Sequence, residues 1–225
     1  MKTGVPTPTA APKSGKGSVA QWLVALGVAM TLSGAYLGWR HLTPPLAAAP
    51  PGGLPAATVI NDRLPLPDFA LHHGATAFTG ADMRGQWSAL VFGYTSCTDV
   101  CPTSLAKLRD LADRLRTEGQ TPPRMIFVSV DAARDTAARL DAFARAFDAD
   151  IVPVTGDVAE LAALVKHLGV HYQRVAGLTA DNYRIDHTDA IFLVDPELRL
   201  KAVFSWPQDP AAMAAEYPQL TAAAR

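Results

Sequence analysis

Residues 87–102 read WSALVFGYTSCTDVCP, and the architecture of the chain can be built outward from them. Its first half, Trp87 to Tyr94, is an apolar run of strand length. The turn TSCTDVC follows. Pro102 fits the first position of a helix, because it lacks only a donor that would be orphaned there anyway. That helix is expected to run to about Thr117, with Leu105, Leu108, Leu111, Ala112 and Leu115 along one face. Gly119 and the pair Pro122-Pro123 end it. A buried strand that turns directly into a helix begins a crossover unit of an α/β sheet.

The flanking sequence extends this pattern. Upstream, Asp68 to Leu71 and Ala77 to Thr79 are short strands around a turn at His73-Gly74. Downstream, Arg124 to Val130 (RMIFVSV) is a second buried strand. Thr136 to Phe147 is a helix, with Leu140, Phe143 and Phe147 at helical spacing. Ile151 to Val154 is a short strand, and Val158 to Leu168 a helix closed by Gly169. His171 to Val175 is extended. Ala190 to Val194 is a strand, Asp195-Pro196 a turn, and Leu200 to Trp206 its hairpin partner. Pro210 to Tyr217 is a terminal helix. This order predicts an α/β fold: a mixed central sheet with helices on both faces and an antiparallel edge.

The chain has 225 residues, which suits one domain with additions. Its formal net charge of -1 is unevenly spread. Residues 1–18 hold Lys2, Lys13 and Lys16 and no acid, whereas from His41 onward there are 16 basic and 21 acidic residues, about -5. No basic patch marks a nucleic-acid partner. Two cysteines cannot staple a small secreted scaffold, so the core must hold without them.

Val19 to Trp39 carries no charged residue over 21 positions. As a helix it would span roughly 31 Å, near the thickness of a bilayer core. Lysines precede it and Arg40 follows, a bias that sets the N-terminus in the cytoplasm and the rest outside. The alternative is a cleaved signal peptide, with Ala47-Ala48-Ala49 as a peptidase site. The expected organisation is a cytoplasmic tail over 1–18, a transmembrane anchor over 19–39, a Pro/Ala-rich linker over 40–61 and a folded domain over 62–225. In a bacterium the protein would be a single-pass inner-membrane protein with its domain in the periplasm.

Cys97 and Cys101 lie four apart at the head of the helix. Both sulfurs then face one side. Nearby helix amides would favour a thiolate, the form needed for exchange and for metal binding alike. The spacing leaves a disulfide and a metal site equally open. A purely structural disulfide is the rival, though a loop this short restricts the unfolded chain little. Two thiolates are too few for a closed zinc site but suit a soft ion such as Cu(I). His187, in Asp186-His187-Thr188-Asp189 before a core strand, is the candidate third donor, with Asp186 or Asp189 placed to orient its imidazole. His41, His72, His73, His167 and His171 have plainer explanations. The methionines form no thioether cluster and read as packing.

Phe92 to Pro102 (FGYTSCTDVCP) resembles the signature of the Sco/SenC family of copper-binding cytochrome c oxidase assembly proteins. Asp181 to Thr188 (DNYRIDHT) resembles that family's histidine segment. Val128-Ser129-Val130-Asp131 with Arg134-Asp135-Thr136 resembles its middle motif. The likeness covers residues 62–218. It implies a thioredoxin-like fold, with copper, as Cu(I) or Cu(II), held by Cys97, Cys101 and His187. Asp131 and Asp135 would be supporting residues. The implied role is assembly of the dinuclear copper site of oxidase subunit II, with another copper chaperone and a thiol reductant as further partners. Thr98 departs from the family, where proline often follows the first cysteine. The alternatives are a thiol-disulfide oxidoreductase acting through Cys97 and Cys101, a thiol peroxidase, and a tethered structural or interaction domain.

Overall fold

The computed structural model describes residues 19–42, 54–60, 64–177 and 182–222. The expected tail over 1–18, most of the linker over 40–61 and Asp181 of the histidine segment lie outside the described residues. The chain divides into two units, Met1–Pro50 and Pro51–Arg225.

The first unit contains helix α1 (Val19–Leu42). Here the structure corrects the sequence reading. Among the described residues no helix is long and apolar enough to cross a membrane. The expectation of a transmembrane anchor rests on the lack of charge over 19–39. Yet Thr31, Ser33, Tyr36 and the glycines at 27 and 34 interrupt the aliphatic run, and a bilayer core asks for predominantly apolar length. The single-pass inner-membrane topology and the periplasmic location rested on that span and are withdrawn with it.

The second unit holds an eight-stranded sheet. Its strands are β1 (Thr58–Val59), β2 (Ala70–His73), β3 (Thr76–Thr79), β4 (Ser88–Gly93), β5 (Arg124–Ser129), β6 (Val152–Thr155), β9 (Ala190–Val194) and β10 (Leu200–Ser205). Their spatial order is β1-β10-β9-β4-β5-β6-β2-β3. Strands β4, β5 and β6 run parallel, and β9 lies antiparallel to β4. A separate two-stranded ribbon is made by β7 (Tyr172–Val175) and β8 (Arg184–His187). The helices are α2 (Val100–Thr117), α3 (Ala137–Arg145), α4 (Val158–Leu168) and α5 (Pro210–Ala222).

Alternation along the central strands sorts the core into two layers. Leu90, Phe92, Ile126, Val128 and Phe192 pack with Leu161, Leu164 and Leu168 of α4. Val91, Met125, Phe127, Ile191 and Leu193 pack with Leu105, Leu108, Leu111 and Leu115 of α2 and with Leu140 of α3. Because β4 is buried on both faces, it reads as a continuous apolar run. Each fully buried leucine of α2 contributes about 1.5–3 kcal/mol relative to exposure. The expected mixed sheet with helices on both faces, a thioredoxin-like arrangement, is therefore present. Met83 and Met125 are buried in the core.

One helix boundary differs instructively, and another agrees. Helix α2 begins at Val100, so Cys101 already sits in its first turn and Pro102 is one residue further in. Proline is tolerated there because the first four amides of a helix lack internal acceptors. Helix α4 follows its sequence signals closely. Asp157 caps its start together with Glu160, and Gly169 ends it in the left-handed region at φ 68.

Candidate metal centre

Strand β4 delivers the chain to the loop 94–99, and α2 begins at once. Cys97 closes a turn by donating its amide to the Tyr94 carbonyl at 3.2 Å. The amide of Cys101, at the N-terminus of α2, donates to Cys97 Sγ at 3.4 Å. His187 ends β8, and its Nε2 lies 3.1 Å from Cys101 Sγ. Its Nδ1 lies 3.1 Å from the Thr188 carbonyl, which can only accept. The Nδ1 proton is thereby fixed, and Nε2 is left facing the sulfurs. The two sulfurs and the imidazole nitrogen all lie within 4.8 Å of one another. Both cysteines are free thiols.

The electrostatics make the two cysteines unequal. The Cys101 thiol donates to Cys97 and holds the Cys97 pKa down at about 4, against the opposing effect of burial. Contacts from His187 and from the amides of Asp99 and Cys101 act in the same direction. Cys101 is pushed up, first by its bond to Cys97 and then by burial. The pair thus shares one proton, with the charge on Cys97. Burial alone would lower the His187 pKa, but the Cys97 thiolate and the Thr188 carbonyl outweigh it and raise it.

One expected result follows. Iodoacetamide should modify Cys97 before Cys101 in the reduced protein. Its rate should rise through about pH 4 and then level off, instead of rising near pH 8.5 as for an ordinary thiol. Peptide mass spectrometry across pH reads this directly, and a midpoint near 8.5 would refute the shared-proton description.

Asp135 is buried behind the loop. It accepts from the Thr95 amide at 2.9 Å, the Thr95 hydroxyl at 2.6 Å and the Ser129 hydroxyl at 2.6 Å. It braces the segment that leads into Cys97. Asp131 is also buried and accepts from Tyr183 Oη at 2.6 Å and Arg134 Nε at 2.5 Å. Neither carboxylate belongs to the donor cluster. Asp186 is exposed and pairs with Arg184 at 3.0 Å. The imidazole is oriented by the Thr188 carbonyl instead of by Asp186 or Asp189. Asp189 accepts from the Ser104 hydroxyl at 2.5 Å, tying the histidine loop to α2. Tyr94 stands edge-on to His187, with ring centroids 6.0 Å apart. Tyr94, Ser104 and Tyr183 escape a reading of the chain by spacing, because each acts across a gap between distant segments.

A cleft of about 450 Å³ opens on two of the donors, Cys97 and His187, and is lined also by Tyr94, Asp99 and Ile185, with Cys101 buried behind it. A larger cleft of about 600 Å³, between Trp87 and Tyr217, includes none of the three donors. Two sulfurs and one imidazole make a soft set of low coordination number. That set fits copper and falls short of the four ligands of a structural zinc site.

Residues 64–222 match the family model described as SCO1/SenC. The chain belongs to that family. The mitochondrial SCO2 homolog of Bos taurus is 34% identical to it over 132 residues, 58% of this chain and 50% of that protein. The chain spans about half the length of this curated relative. The apo Sco1 protein of Thermus thermophilus superposes on this Sco domain with a TM-score of 0.66 at 27% identity, over 79% of this chain and 99% of that one. Bradyrhizobium japonicum ScoI, solved with copper bound, gives 0.61 at 30% identity, over 70% of this chain and 99% of that one.

Proposed function

We propose that this Sco domain is a metallochaperone that carries one copper ion on Cys97, Cys101 and His187. Its cargo would go to the dinuclear copper site of cytochrome c oxidase subunit II. The observation that carries this reading is the convergence of two free thiols and one imidazole within 4.8 Å, with Cys97 and His187 facing a cleft. The copper-bound state of the Bradyrhizobium japonicum relative supports it. Thiolates select soft ions, and a set of three donors leaves room for an acceptor's ligand. Uptake expels the proton that Cys101 holds, so copper affinity should rise with pH.

The second reading is reduction of the subunit's disulfide. Cys97 would attack it, Cys101 would resolve the mixed disulfide, and two electrons would pass to the partner. The reactive Cys97 supports that chemistry. However, stabilising a thiolate in the reduced pair makes the pair a reluctant electron donor. The balance favours cargo over electrons.

Titration of the reduced protein with Cu(I), read by X-ray absorption, should give one copper per chain with two sulfur donors and one nitrogen donor. Cys97→Ser should lose one sulfur, and His187→Ala the nitrogen. Unchanged stoichiometry and coordination in both variants would sink the site. Incubation with the metal-free, reduced subunit II domain then separates the roles. Copper appearing there with thiol counts unchanged marks delivery, whereas thiols gained by an oxidised domain mark reduction.

A further inference from the structure

Among the described residues, β7 and β8 pair only with each other. A two-stranded ribbon has little stability of its own. This ribbon carries His187, so something must hold it in place. Ile185 of β8 is buried in the core and Asp189 beyond it is tied to Ser104; Tyr183, just before β8, adds a connection to the turn after β5. Its ring lies between two guanidinium groups, with Arg134 at 3.5 Å and Arg174 at 3.6 Å from the centroid. Its hydroxyl donates to Asp131 at 2.6 Å, and its carbonyl accepts from Arg134 Nη1 at 2.8 Å. Arg134 is itself bound to Asp131 and also faces the Tyr94 ring at 5.6 Å. Asp131 and Arg134 sit in the turn that follows β5, so they belong to the main sheet. Arg174 belongs to β7. Tyr183 therefore rivets the ribbon to the sheet four residues from the imidazole.

We propose that Tyr183 is a positioning residue for copper capture, holding His187 within reach of the sulfurs before the ion arrives. The inference rests on the copper reading given above. A ligand fixed in advance loses less freedom on binding, and a ligand in place for only a fraction of the time weakens apparent affinity by that fraction. A cation–ring sandwich suits this task. It is directional enough to fix the ribbon, and it is built from groups that the metal does not use.

The test is Cu(I) competition against a chromophoric chelator, with X-ray absorption, on the reduced full chain. Tyr183→Leu should lower affinity roughly 10–100-fold, as is typical when the support of a metal ligand is lost. Its spectrum should keep both sulfurs and lose imidazole scattering. Tyr183→Phe keeps the sandwich and loses only the bond to Asp131, so it should fall between. In a His187→Ala background, Tyr183→Leu should cost no further affinity, because the two act as one unit. Thermal melts followed by circular dichroism establish that the variants fold, and Tyr183→Phe makes the same discrimination if the leucine variant does not. Wild-type affinity and ligation in a folded Tyr183→Leu protein would overturn this proposal alone. So would an equal loss in the His187→Ala background. A wild type that binds no copper, or binds it without nitrogen, overturns the copper reading too.

Discussion

Asp135→Ala should destabilise the domain by about 3 kcal/mol, an estimate from the cost of leaving buried donors unmade. The carboxylate accepts three hydrogen bonds, two from Thr95 and one from Ser129. Alanine leaves an amide and two hydroxyls without their acceptor. The Ser129 hydroxyl is enclosed in the sheet, while that of Thr95 is only half-buried and can turn toward solvent. The sum is therefore smaller than three full penalties. For a domain of this size the melting point should fall by roughly 6–12 °C. Copper affinity should fall with it, because the same carboxylate holds the segment leading into Cys97. Asp135→Asn should recover part of the stability. Its carbonyl oxygen still accepts, but its amide nitrogen turns a donor toward a donor. Guanidinium unfolding checks the first effect and chelator competition the second. Wild-type stability in Asp135→Ala would show that the carboxylate is no brace.

Gly93→Ala should damage the copper site more than the fold. A Cβ at Gly93 would lie 2.8 Å from Cys101 Sγ and 2.9 Å from the Phe127 ring. Both are closer than real Cβ contacts. The backbone there is ordinary strand, so the need for glycine is one of space alone. Overpacking a core costs about 1–3 kcal/mol. The ring is locked in the core beside Phe143, so the sulfur is the group able to move. Displacing it disturbs the 3.1 Å approach to His187. The expected result is a modest fall in melting temperature with a loss of copper affinity of more than tenfold, an order-of-magnitude figure for a misplaced ligand. Equal copper binding in both proteins would mean that the sulfur has room this geometry denies it.

These two residues also mark what the sequence could reveal. The apolar runs of β4, β5 and β9 and the leucine stripe of α2 are written as local patterns, so the sheet and its helices were legible. The cysteine pair was legible as a reactive site, since four-residue spacing at a helix head has a direct geometric meaning. His187 was weaker. Several histidines compete with it, and only the family resemblance tied it to the cysteines. The carbonyl that orients its ring could not be read, because main-chain partners leave no mark on residue identity. The tyrosine, arginine and aspartate supports join segments some 50 residues apart, as Tyr183 and Asp131 do. The membrane span failed for another reason. Absence of charge is not apolar strength, and interspersed glycine and hydroxyl residues make those different quantities.

The three donors come from two separate parts of the structure. Both sulfurs stand on one turn at the head of α2, and the imidazole stands on a ribbon of its own. For a copper cargo, an incoming ligand that replaced the imidazole would meet an ion still chelated by two sulfurs. The metal would then change hands one bond at a time, by an associative route that releases no bare ion to solvent.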